Sequence, residues 1–289
     1  MIETGLKNKV VLITGVNNPH GIGAATAKAF ATEGAAVFVT FLRIPAEESR
    51  KNVPGEAFFR AQNAKTADET ISTIREIGGK AEAWEADLTN SGSIPQLFDK
   101  AEKAFGHVDI LVNNAAHYDA DTFIPQSQLG PDSRAVDDFP MRTITADMHD
   151  QHFAVNSRAV ALMMAEYARR LIGRGTGWGR IINISTDGAS GFNSSISYGA
   201  SKHALESYSR AAASELGKFG ITVNILSLGA VQTGWISPKL EEEESRHTPL
   251  QFVGRPEDVA NAIIFFASEQ ARWITGQLLY VGGGHVMPL

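Results

Sequence analysis

The sequence predicts a single α/β domain, a doubly wound parallel sheet of about seven strands with helices on both faces. Three observations lead there. Short β-branched runs alternate with longer stretches of helical periodicity, the pattern made by parallel strands joined through crossover helices. A glycine-rich turn joins the first strand to the first helix. A length of 289 residues admits one large domain or two, and a continuous strand order decides for one domain over residues 1–289.

Taken in order, residues 9–13 form the first buried strand. Residues 21–33 form an alanine-rich helix closed by Gly34, since glycine is preferred just past a helix end. Further strands follow at 36–40, 81–85, 109–112, 180–184, 221–226 and 278–281. Two insert-like loops, 44–65 and 118–145, interrupt this rhythm. Both are rich in Pro, Gly and charge, and both begin at a strand's carboxyl end, where open α/β sheets bind ligands. Surface decoration is the competing reading. The acidic run 241–244 reads as a solvated helix face.

Composition narrows the chemistry. With no cysteine, disulfides, thiolate nucleophiles, iron–sulfur clusters and Cys-containing zinc sites are excluded. A net charge of -6 argues against nucleic acid as a partner, because a phosphate-backbone binder needs a basic face. The start of the chain has no long apolar h-region, and no apolar run approaches the ~18 residues that span a bilayer. A soluble, cytoplasmic protein without membrane contact is the expectation.

The turn Thr14-Gly15-Val16-Asn17-Asn18-Pro19-His20-Gly21-Ile22-Gly23 lets backbone approach a pyrophosphate, whose charge the following helix N-terminus stabilises. A nicotinamide dinucleotide is the implied cofactor. About 20 residues past such a turn, an acid suits ribose hydroxyls and an Arg suits a 2′-phosphate. Arg43 occupies that region and favours NADP, while Glu47 and Glu48 nearby keep NAD open.

The segment Ser197-Tyr198-Gly199-Ala200-Ser201-Lys202 opens a helix. Residues four apart share a helix face, so the Tyr198 hydroxyl and the Lys202 ammonium point into one site. Tyrosine titrates near ~10, and a nearby ammonium lowers that value toward general acid–base use at neutral pH. Thirteen residues upstream of Tyr198, Ser185 ends an apolar strand at the ligand-binding edge. Its hydroxyl is a candidate to hold a substrate oxygen, or else is a turn or cap serine. Asn156 falls on the face of Phe153, Val160, Met164, Tyr167 and Leu171 in the preceding helix. A buried amide there is either satisfied within the core or anchors a relay water.

With these motifs, with Asp87-Leu88, Asn113-Asn114-Ala115-Ala116 and the ending Thr275-Gly276-Gln277…Gly282-Gly283-Gly284, the sequence resembles the short-chain dehydrogenase/reductase family, near its 3-oxoacyl-carrier-protein reductase branch. The resemblance covers essentially the whole chain outside the two inserts and implies a Rossmann-type oxidoreductase. It implies catalytic roles for Asn156 (water), Ser185 (substrate oxygen), Tyr198 (proton) and Lys202 (nicotinamide ribose and tuning of Tyr198). Around the cofactor it implies Gly15, Asn17, Gly21, Ile22, Gly23, Arg43, Asp87 (adenine), Leu88, Asn114, Ala115, Gly229, Val231 and Thr233 (carboxamide), together with Tyr198 and Lys202. Asn113 is implied as support for the ribose and the central strand. Residues 234–254 would form a substrate lid, and assembly as a homotetramer or homodimer is implied as well.

This chain departs from the family pattern at three places. The glycine turn is two residues longer, with Pro19-His20 added; Leu228-Gly229 replaces Pro-Gly; and Phe219, with Lys218 before it, stands where carrier-protein reductases commonly have a basic residue. Acyl carrier protein is therefore an open partner beside a small carbonyl or alcohol substrate.

Rival readings are weaker. His149 and His152 have metal-ligand spacing but no third ligand, and no metal is expected. Enoyl reduction on the same fold would put the tyrosine seven residues before the lysine, where this chain has Ser195. A non-catalytic nucleotide-binding sensor or scaffold would lack the Tyr or Lys, and this chain keeps both.

Overall fold

In a computed structural model, residues 3–46 and 53–287 are described; Glu47 and Glu48 lie outside them. Seven parallel strands make the main sheet: β1 Val10–Thr14, β2 Ala36–Phe41, β3 Lys80–Glu85, β4 Ile110–Asn113, β5 Gly179–Thr186, β6 Ile221–Leu228 and β7 Leu278–Val281. Their spatial order is β3-β2-β1-β4-β5-β6-β7. The order reverses between β1 and β4, and the crevice at such a switch point is where this architecture binds ligands.

The inner strands are apolar along both faces because helices cover both, whereas the edge strand β3 carries Lys80, Glu82 and Glu85. On one face Val11, Ile13, Val37, Val39, Val112, Ile182 and Ile184 pack with Phe30 of α1 (Ile22–Thr32) and with Ile263 and Phe266 of α9 (Pro256–Ala267). On the other, Val10, Leu12, Leu111, Ile181, Val223 and Ile225 meet α4 (Ser93–Phe105) through Leu97 and Phe98 and α6 (Val160–Arg174) through Met164, Tyr167 and Leu171. Leu205 brings α7 (Ile196–Leu216) onto that second face. Side chains of this size each contribute roughly 1.5–3 kcal/mol when buried. The expected strands are all present; β5 and β6 each run two residues further than the apolar run shows, to Thr186 and Leu228.

The inserts are built structures at the sheet's carboxyl edge. The first contains α2 (Glu56–Asn63) and leads to α3 (Asp68–Glu76). In the second, Asp121–Thr122 pairs in parallel with Arg142–Thr143 before α5 (Ala146–Phe153). One widened helical turn, Ala154–Ala159, joins α5 to α6 and contains Asn156. The expected lid contains α8 (Pro238–His247), capped by Ser237, and Val231 bridges Gly254 at its base. Among the described residues, no helix is long and apolar enough to cross a membrane.

Candidate active site

Backbone geometry at the glycine turn fits a dinucleotide pyrophosphate. Gly15 has φ +76°, and a Cβ there would sit 2.8 Å from Ala115 Cα. A Cβ on Gly23 would lie 2.4 Å from the Gly15 carbonyl oxygen, so only glycine lets α1 start this close to the turn. Helix α1 has no side-chain cap and no acidic residue in its first turn. Its first amides are thereby left for an anion. Asn114 clamps the turn from β4, donating through Nδ2 to the Thr14 and Gly15 carbonyls at 2.9 and 3.0 Å.

The lengthened turn ties the rims of the site together through Asn18 and His20. Asn18 Nδ2 donates to the Thr233 carbonyl at 2.9 Å, and the His20 ring lies 5.4 Å from Phe58 of α2. Asn17 Nδ2 donates to the Leu42 and Asn63 carbonyls, so that side chain serves the first insert. Gly55 in turn donates to the Gly234 carbonyl at 2.8 Å.

A single cavity of about 1530 Å³ runs from this turn to the amino end of α7. Gly15, Asn17, Ile22, Asp87, Leu88, Asn114 and Ala115 line one part of it, and Tyr198, Lys202, Gly229, Val231 and Thr233 another. Gly21 and Gly23 shape the turn from behind. Arg43 stands outside the lining, bound to Glu85. Asn113 bonds Asn183 across β4 and β5 at 2.7 Å, which makes it a strand-pairing residue.

Tyr198 lies three residues past Ser195, in the first turn of α7. That helix lacks a side-chain cap of its own, and Asp121 from the second insert supplies one, its buried Oδ1 accepting from Ser197 N at 3.0 Å. A carboxylate at this end also suits the helix dipole. Lys202, only 1% exposed, donates to the Ile184 carbonyl at 2.8 Å and stands 5.7 Å from the Tyr198 ring centroid. Burial pulls its ammonium down to about 8. Burial, then Asp187 and Asp137, push the Tyr198 phenol above its ordinary range. Lys202 is not among the groups that shift Tyr198, so the lowering expected from it is not found in the chain alone.

Lys202 makes stability depend on pH. Its folded value is depressed, so between about 8 and 10.5 the unfolded chain holds the extra proton and stability rises with pH. Below pH 8 the buried ammonium costs up to about 3 kcal/mol. Lys202→Met should remove this dependence, read as a wild-type urea midpoint that rises relative to the variant's between pH 8 and 10.

Ser185 lines the cavity with Tyr198, as expected, but its hydroxyl and the Asn156 amide are engaged by protein partners. Ser185 Oγ donates to the buried Glu206 carboxylate at 2.8 Å. Glu206 is eight residues beyond Tyr198, about 12 Å along the helix. Asn183 and Ser185 share that strand face, and Asn183 likewise bonds Ser209 of α7. The next hydroxyl, Thr186 Oγ1, accepts weakly from Gly188 N at 3.3 Å and keeps its own proton free in the cavity wall. Asn156 is fully buried: Oδ1 accepts from His117 N at 2.8 Å, and Nδ2 donates to His117 O and Ser201 Oγ at 2.9 and 3.0 Å. Both side-chain donors are spent within the protein, and the amide holds the cavity loop at His117.

Sequence reading missed an aromatic roof that both inserts build over Tyr198. Phe139 meets Phe59 of α2 at 6.3 Å, Tyr118 at 5.5 Å and Trp235 at 6.5 Å, and Tyr118 lies edge-on to Tyr198 at 5.1 Å. Tyr118 bonds Asp137 and, at 2.8 Å, Ser195 Oγ. Glu244 also lines the cavity, while Glu241 pairs with Arg255, so the acidic run is not wholly a solvated face. His152 uses both ring nitrogens, toward Met148 O at 2.7 Å and Asp119 N at 3.1 Å, and burial lowers its basicity. His149 is exposed beside Asp150. Among the described residues, no cluster of three His, Cys, Asp or Glu has metal-binding geometry.

Known proteins resemble the chain closely. A family model described as enoyl-(acyl carrier protein) reductase matches residues 54–285. The 7alpha-hydroxysteroid dehydrogenase of Escherichia coli (strain K12) is 32% identical over 98% of this chain and 96% of its own length. A 3-oxoacyl-[acyl-carrier-protein] reductase of Synechocystis is 31% identical over 98% of this chain and 99% of its own. The solved structure of a short-chain dehydrogenase/reductase from Serratia marcescens superposes with a TM-score of 0.76 at 28% identity, covering 97% and 98% of the two chains.

Proposed function

The chain belongs to the short-chain dehydrogenase/reductase family of oxidoreductases, and on that premise we propose that it transfers a hydride reversibly between NADP(H) and a ketone or secondary alcohol, 3-oxoacyl thioesters included. The observation that carries this reading is that Tyr198 and Lys202 line the same cavity as the glycine turn. A nicotinamide cofactor, when bound, supplies or accepts the hydride.

The chain's own residues manage the oxygen and the proton. Tyr198, kept protonated by its burial, donates its proton to the substrate oxygen in the reducing direction. Lys202, held by the Ile184 carbonyl, offsets the phenolate charge that this leaves. Thr186 takes the role expected of Ser185 and donates a hydrogen bond to the developing oxyanion. The aromatic roof excludes water above Tyr198. Residues 234–254 act as the substrate lid; closure is read as slowed hydrogen exchange at Leu240 in the ternary complex. Trp273, 96% exposed, and the exposed Phe265 and Leu279 offer apolar surface for a homodimer or homotetramer.

The test is a panel of ketones, 3-oxoacyl thioesters, sugars and steroids assayed with NADPH and NADH by loss of reduced-nicotinamide absorbance. Turnover of one carbonyl class with NADPH supports the reading. Tight nucleotide binding without turnover of any class favours the sensor or scaffold alternative.

A further inference from the structure

Arg43 and Glu85 sit at the carboxyl ends of neighbouring strands, where the register pairs Phe41 with Glu85. Leu42, Ala86 and Asp87, their chain neighbours, line the cavity at the same corner. Arg43 does not stand there as a free cation. Its Nε lies 3.0 Å from both Glu85 carboxylate oxygens, one guanidinium nitrogen donates to Oε2 at 2.7 Å, and its backbone N–H donates to Oε1 at 3.1 Å. Glu85 occupies the Nε edge of the guanidinium, so a phosphate is left the outer Nη donors and must approach alongside this carboxylate. With Arg43 55% exposed the pair is weak, so a ligand can open it.

Two ribose chemistries meet different halves of this pair. A 2′-phosphate must either share the guanidinium with Glu85 or take it away, and in both cases it sits beside a carboxylate that repels it. A free 2′-hydroxyl can donate to Glu85, which from the end of β3 offers the kind of acceptor that an acid at the end of the second strand offers in other nucleotide-binding sheets.

We propose that Glu85 sets the nucleotide preference, competing with a 2′-phosphate for Arg43 and accepting from an unphosphorylated 2′-hydroxyl, so that the enzyme uses both nucleotides. The inference rests on the reading that Arg43 marks the adenosine ribose. It differs from a purely structural ion pair in predicting opposite changes for the two nucleotides.

Calorimetric titration of nucleotide-free protein with NADPH, NADH, adenosine 2′,5′-bisphosphate and AMP tests it without turnover. Glu85→Gln should tighten NADPH and the bisphosphate about tenfold and weaken NADH about threefold. Arg43→Ala should weaken NADPH at least about tenfold, and the double variant should lose the gain seen in Glu85→Gln. If Glu85→Gln leaves the NADPH to NADH ratio unchanged while Arg43→Ala still weakens NADPH, the role of Glu85 is overturned and the ribose position stands. If Arg43→Ala changes neither nucleotide, the ribose position and the inference fall together. Both side chains are at the surface, and matched thermal melts verify that the variants fold.

Discussion

Tyr198→Phe should lower kcat in ketone reduction by about a thousand-fold while nucleotide affinity changes less than about twofold. The ring lies among Tyr118, His152 and Phe192, with centroids 5.1, 6.4 and 6.2 Å away, and Phe preserves those contacts. Only the hydroxyl is lost, and with it the proton that the substrate oxygen must receive. The wild-type protein carries a pH signature of the same group. Burial with Asp187 and Asp137 raises the phenol, so it stays protonated through neutral pH. Reduction should therefore be nearly flat from pH 6 to about 8 and decline above it as Lys202 loses its charge, whereas oxidation, which needs the phenolate, should climb with pH. Loss of the climb in Tyr198→Phe would tie it to this residue. Retained wild-type turnover in that variant would remove Tyr198 from the mechanism.

Much of the fold was legible because a parallel sheet covered on both faces writes its strands as apolar β-branched runs, as in 180–184 and 221–226. That same covering hid the strand ends. Ser185, Thr186, Ser227 and Leu228 continue β5 and β6 in extended backbone, but their polar members do not read as strand. It also hid which face Ser185 takes, since both faces of β5 are buried. The period of two, counted from Asn183, was the available signal. The roof and the Arg43–Glu85 pair were beyond local patterns. Phe59 and Phe139 are 80 residues apart, and strand register, which sets Glu85 beside Phe41, is not written in either strand alone.

The assignment of the substrate-facing hydroxyl at the end of β5 leads to the second large effect. Spacing along the chain points to Ser185, thirteen residues before Tyr198, but the loop between them sets no geometry until it folds. In the folded chain Ser185 also lines the cavity, but it gives its proton to Glu206, which Arg210 approaches at 3.2 Å. Thr186, one residue on, turns to the other face and retains a donor where the cavity passes. Removing a donor to a developing oxyanion costs about a hundred-fold in kcat or more. Thr186→Val, which keeps the branched shape, should show that loss, whereas Thr186→Ser should recover most of the activity. Ser185→Ala should leave kcat/KM within about threefold and instead lower the urea midpoint, because Glu206 loses a buried donor worth about 1–3 kcal/mol. The reverse pattern, with activity lost in Ser185→Ala and kept in Thr186→Val, would return the role to Ser185 and require its hydroxyl to leave Glu206 when substrate binds.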